Sequence, residues 1–182
     1  MLMKPVNEIP DQNNEVVVTF LNLLLADEYV LYTKTRTAHW NVDGSNYFEL
    51  HVFLEHQYNL LDVIIDDLAE QIRSLGHFAL GSLNDFLSVA QMSEENRNYG
   101  NSAQILGALL HDHEAIINTI EHEIPPISDK LKSMETAAFL AGILEKQRKS
   151  ARQIKAFLSS PELTSDNHLR IVYNQSVSQQ QL

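Results

Sequence analysis

His51, Glu55, Asp62, Asp66 and Glu70 recur at steps of four and eleven residues through the stretch HVFLEHQYNLLDVIIDDLAE. At about 100° per residue, both steps return to nearly the same side of an α-helix, so all of these side chains share one stripe about 100° wide. An acidic stripe on a long helix is ordinarily a solvated face. A stripe that mixes imidazole with carboxylates is also the ligand set that suits iron and zinc. Just upstream, His39 and Trp40 close an earlier helical pattern, and Asn41-Val42-Asp43-Gly44 reads as a turn into the second helix.

Length decides how such a stripe could hold a metal. His51 and Glu70 lie about 28 Å apart along one helix at about 1.5 Å per residue, so they cannot share an ion within one chain. If the helix packs antiparallel on a second copy across a two-fold axis, residues whose numbers share a sum face one another. His51 with Glu70 and Glu55 with Asp66 have the same sum, and an isologous contact makes the reciprocal pairs automatically. Two identical His/carboxylate sites per dimer result, each built from two subunits. Asp62 would face Asn59 and is the weaker candidate.

These residues resemble a known family. The pattern H-W-N-V-x-G, then F-x-x-L-H, then D-x-x-x-E followed by I-R-x-L-G, between Thr37 and Gly76, is similar to that of the Dps proteins, the mini-ferritins also called DNA-binding proteins from starved cells. The wider similarity runs from about Asn14 to Ser159. It implies an all-α, ferritin-like four-helix bundle with a short helix in the long crossover between the second and third helices. It also implies assembly into a hollow homo-dodecamer with an iron-oxidising centre at each two-fold interface. The family's ligand positions fall on His39, His51, Glu55, Asp66 and Glu70, with Glu55 standing where many members have Asp. Trp40 matches the tryptophan beside the family's iron site. The oxidant expected from the resemblance is hydrogen peroxide or dioxygen.

The chain has 182 residues, 44% of them hydrophobic, enough for one domain with a sizeable core. The absence of cysteine excludes disulfides and thiolate metal sites. The first residues show no signal-peptide pattern, and no run approaches the roughly 18 consecutive apolar residues of a membrane span. The expectation is a cytoplasmic protein without a membrane partner. The net charge of −11, from 24 acidic and 13 basic residues, repels nucleic acid and gathers cations.

Residues 1–14 read as a polar, mobile tail, residues 15–159 as the bundle domain, and residues 160–182 as a polar tail without assigned structure. The first helix is expected from about Asn14 to Asn41. Its apolar stripe is broad enough to predict burial on two sides, as in a bundle that also packs in an oligomer. Asn46 with Glu49 reads as a capping box for the second helix, and Gly76 as its terminator. Leu83, Phe86 and Leu87 predict a short helix in the crossover, and Asn96 to Asn98 a loop. Asn101 with Gln104 marks the third helix, Pro125-Pro126 its end, and the last helix runs from about Ser133 to Ser159.

Other clusters carry less. His111, Asp112, His113 and Glu114 are consecutive and point in different directions on a helix, so they read as a solvated face. No E-x-x-H pair is present for a centre inside one bundle. Lys146, Lys149 and Arg152 share a face that balances the acidic helices. Tyr29, Tyr32 and Tyr58 read as core or interface aromatics. The resemblance implies an acidic iron-entry pore at the start of the last helix. Here Asp129 is kept, while Met134 and Ala138 stand where aspartates are common. The leading functional expectation is oxidation and storage of iron, and the alternative is DNA coating. Both tails lack the lysine surplus that DNA coating requires.

Overall fold

The computed structural model describes residues 12–44, 46–94, 101–131 and 133–160, and these form helices joined by turns. The helices are α1 (Gln12–Asn41), α2 (Tyr47–Ser74), the short α3 (Leu83–Val89), α4 (Ser102–Pro125) and α5 (Met134–Leu158). Helix α1 packs on α2, α4 packs on α5, and contact between α1 and α4 joins the two hairpins. The expected bundle with a short crossover helix is thus observed. Residues 1–11, 95–100 and 161–182, where most of the two tails and the Asn96 to Asn98 loop were expected, lie outside the described residues. Residues 12–14, expected in the tail, belong to α1.

Packing rather than helix propensity holds these elements. Leu21, Leu24, Leu25, Leu31, Leu50, Leu54, Leu61, Ile64, Leu68, Ile72, Leu106 and Ile116 are fully buried. Each contributes roughly 2 kcal/mol by leaving water, several times what a residue's helix propensity can supply. The broad stripe of α1 has its explanation within the chain. One side faces the bundle, and α3 covers another, where Phe86 stacks on Tyr29 with ring centroids 4.4 Å apart. Polar clamps fix the crossover along α1. Asn22 Oδ1 accepts from the Leu80 N–H at 3.1 Å, and Asp27 Oδ1 accepts from the Gln91 and Met92 N–H groups, each at 2.8 Å. The width of the stripe therefore gives no argument for an oligomer. Residues 14–41 are long and apolar enough by composition to cross a membrane, but 56% of their most apolar window is buried inside this bundle.

Helix ends follow the sequence in part. Gly76, at φ +85°, closes α2 as the C′ residue of a Schellman motif. Its N–H donates to the Arg73 carbonyl at 3.0 Å, and the His77 N–H donates to the Ile72 carbonyl at 3.3 Å. The capping box of α4 is formed as expected by Asn101 and Gln104. That of α2 is not, because Asn46 makes no side-chain cap bond. Its backbone, at φ −100° and ψ 21°, lies outside the extended region in which a cap side chain reaches back to the N3 amide. The double proline does not stop the chain turning. Past Pro125 it continues as a wider π turn, Pro126–Lys130, closed by a bond from the Leu131 N–H to the Pro126 carbonyl at 3.2 Å.

Candidate metal centre

His39 sits in the last turn of α1 and His51 in the second turn of α2. The α1–α2 turn, with Gly44 at φ +104°, brings these helix ends together. The last carbonyls of a helix have no partner within it. Here the His39 carbonyl accepts from His51 Nδ1 at 3.0 Å, and the His51 carbonyl accepts from His39 Nδ1 at 2.9 Å. A carbonyl can only accept, so Nδ1 is the protonated nitrogen on both rings. In the neutral ring the lone pair is then on Nε2, the form in which imidazole binds a metal. The rings stack with centroids 3.7 Å apart. Tyr47 stacks on His51 at 5.1 Å, and Tyr58 meets His39 edge-on at 5.3 Å. The pair is thereby fixed in tautomer and orientation before any ion arrives.

The carboxylates stand elsewhere. Glu55, Asp62, Asp66 and Glu70 are all exposed along α2. Among the described residues, no three His, Asp or Glu side chains of one chain gather closely enough to hold a metal ion. One chain offers the oriented histidine pair with Glu55 one turn further on. Asp66 and Glu70 follow about 17 Å and 23 Å beyond Glu55 along the helix. Apolar residues interleave with these carboxylates on the same side. Phe48, Val52 and Val63 are half to three-quarters exposed, and by helical rotation all three fall within about 60° of Asp66.

The run on α4 departs from its expected solvation. Asp112 and His113 are buried, while His111 is exposed. Asp112 pairs with Lys34 of α1. His113 Nδ1 donates to Gln147 Oε1 of α5 at 2.5 Å, and Gln147 Nε2 donates to both carboxyl oxygens of Glu28 at 2.7 Å. Glu28 is fully buried. Desolvation pushes its carboxyl up to about 8, against the opposing bond from Gln147 and with help from the nearby Asp27 charge. Burial lowers His113. At neutral pH both groups are therefore uncharged, and the core holds a polar chain without a net charge. Sequence reasoning missed Glu28, yet the signal was present. Glu28 stands four residues after Leu24 and seven after Leu21, on the apolar stripe itself.

The tyrosines pack as expected, with Tyr29 and Tyr32 against the core. Lys146 pairs with Asp67 of α2, and Arg148 and Lys155 pair with Glu121 and Glu114 of α4, so the basic residues of α5 largely balance neighbouring acids. Asp129 is exposed on the π turn.

Comparison with known proteins places this geometry in context. The ferritin-like domain family matches residues 18–163. An uncharacterized low temperature-induced protein of Nostoc sp. is 31% identical over 150 residues, covering 82% of this chain and 84% of the relative. The DNA protection during starvation protein of Helicobacter pylori is 30% identical over 139 residues, 76% of this chain and 96% of the relative. Among solved structures, a Dps protein from Bacillus brevis superposes with a TM-score of 0.76 at 27% identity, covering 83% of this chain and all of that one.

Proposed function

Because this chain belongs to the Dps family of ferritin-like proteins, we propose that it oxidises Fe²⁺ as substrate and stores the ferric product inside a closed shell of its own copies. The centre would combine His39, His51 and Glu55 of one subunit with Asp66 and Glu70 of the partner subunit. The observation that carries this reading is the reciprocal pair of Nδ1 bonds, which commits Nδ1 of both rings to the backbone and leaves Nε2 of each available at one helix junction. The α2 face supports the two-chain arrangement. Its carboxylates are exposed and spaced for antiparallel self-pairing, and Phe48, Val52 and Val63 among them give the contact apolar area to bury.

In this mechanism the histidines bind Fe²⁺ through Nε2, and the carboxylates favour the more highly charged Fe³⁺ product. Two Fe²⁺ supply the two electrons that reduce hydrogen peroxide to water, so no hydroxyl radical is released. The net charge of −11 draws cations toward the assembly. The test is an anaerobic Fe²⁺ titration of the purified protein followed by hydrogen peroxide. Ferric absorbance should saturate with iron held in solution. Peroxide consumption no faster than in a protein-free control would sink the reading.

A further inference from the structure

A line of touching rings leads from the histidine pair into the chain. Tyr58 meets His39 at 5.3 Å. Tyr32 meets Tyr58 at 6.1 Å, and Tyr29 follows Tyr32 at 5.9 Å. Beyond Tyr29 stands Phe86 at 4.4 Å, a phenyl ring that resists oxidation and so ends the line. Trp40, expected beside the iron from the family pattern, makes no ring–ring contact with either histidine among the described residues, and it is 64% exposed. Arg36 touches both sets of rings. Its guanidinium lies 5.4 Å from the Tyr58 centroid, 5.7 Å from Tyr32 and 5.4 Å from Trp40, and it donates a hydrogen bond to the Tyr32 hydroxyl oxygen. A fixed cation disfavours a positively charged ring radical. A phenol that has lost an electron beside it is therefore driven to lose its proton as well, giving a neutral tyrosyl radical.

We propose that Tyr58, backed by Tyr32 and Tyr29, supplies the second electron when peroxide reaches a centre holding a single Fe²⁺. The proposal rests on the iron-oxidising reading above. Peroxide needs two electrons, and one Fe²⁺ gives only one. In the step, the O–O bond breaks, Fe²⁺ becomes Fe³⁺, and the Tyr58 phenol gives one electron and its proton. One further proton comes from solvent, and two waters form. The radical is then shared along Tyr32 and Tyr29. A second Fe²⁺ reaching the centre returns an electron, which with a solvent proton restores the phenol. The tyrosines thus hold an oxidising equivalent that would otherwise leave as hydroxyl radical.

The experiment uses the assembled full-length protein loaded with less than one Fe²⁺ per centre, mixed with hydrogen peroxide and freeze-quenched for electron paramagnetic resonance. A spin trap in a parallel sample reports released hydroxyl radical. The expected result is a tyrosyl signal in the wild type and in Trp40→Phe. In Tyr58→Phe, which keeps the ring, that signal should be lost and trapped hydroxyl radical should increase. A signal that survives Tyr58→Phe, or that Trp40→Phe abolishes, overturns the relay. So does a Tyr58→Phe variant that also loses ferric yield at saturating Fe²⁺, since Tyr58 would then serve the centre's structure. Ferric absorbance without any radical removes the relay and leaves iron oxidation standing, whereas no ferric absorbance at all removes both.

Discussion

His39 and His51 each use the nitrogen nearer the backbone to satisfy the other's carbonyl. Neither interaction could be made by asparagine or glutamine while also presenting a second nitrogen lone pair. The double substitution His39→Ala, His51→Ala should therefore lower peroxide-driven iron oxidation by at least about the tenfold to hundredfold seen when metal-site partners are lost. Circular dichroism should still report a helical protein, and unchanged stopped-flow rates would remove both residues from the site. Glu28 supports a prediction about pH. Its folded carboxyl holds a proton up to about 8, against an ordinary value of 4.5. The native state therefore binds more protons than the unfolded state across that window, and stability falls as pH rises through it. The contribution is fully present below 4.5 and lost as pH passes about 8. Glu28→Gln removes this titration. Melting temperatures taken from about pH 5 to about pH 9 should show the variant gaining on the wild type as pH increases. Parallel curves for the two proteins would show that Glu28 is ionised in the fold.

Among the elements, α2 depends most on where it stops, because its length sets how far the carboxylates extend from the histidine pair. Gly76 provides that stop at φ +85°, and a Cβ added there would meet nothing within 4 Å. Gly76→Ala consequently tests backbone conformation without a steric clash. It should reduce stability by about 1 kcal/mol in urea unfolding, the cost of placing a side chain in the left-handed region. A variant as stable as the wild type would mean that the Schellman turn relaxes freely. The crossover teaches a related lesson about α1. A wide apolar stripe predicts two buried sides, but a short helix from the same chain can cover the second as well as another subunit could. Phe86 and the Asp27 clamp do so here.

For the whole molecule, the exposed side of α2 and the proposed centre's need for carboxylates from a second chain point to the same contact. Sedimentation at micromolar concentration should give a closed oligomer, with the family's dodecamer of 20.7 kDa chains as the expected species. Val63→Asp should weaken it, because a charge would then enter a contact that buries apolar area. A wild-type monomer under those conditions would refute both the shell and the shared site. Charge argues against DNA as the main partner. Lys146, Arg148 and Lys155 already face carboxylates of this chain, and the net charge is −11. A duplex should show no mobility shift at ~0.15 M salt, where exposed charges more than about 8 Å apart are screened. A shift that persists there would make the exposed Lys149 and Arg152 the first residues to replace.

Much of this molecule is written in local periodicity. The helix spans, the short crossover helix, the stop at Gly76 and the shared side of His51, Glu55, Asp66 and Glu70 follow from residue spacing, because a helix repeats every 3.6 residues whatever it packs against. Three outcomes depended on contacts between residues far apart in the chain. The nitrogen that each histidine leaves free was decided by a carbonyl on the other helix. The burial of His113 and Asp112, which consecutive charged residues had presented as a solvated face, was decided by Gln147 and Lys34 reaching them from α5 and α1. The ring lying against His39 proved to be Tyr58 rather than the adjacent Trp40, because neighbouring side chains on a helix diverge by about 100° while facing helices bring distant ones together.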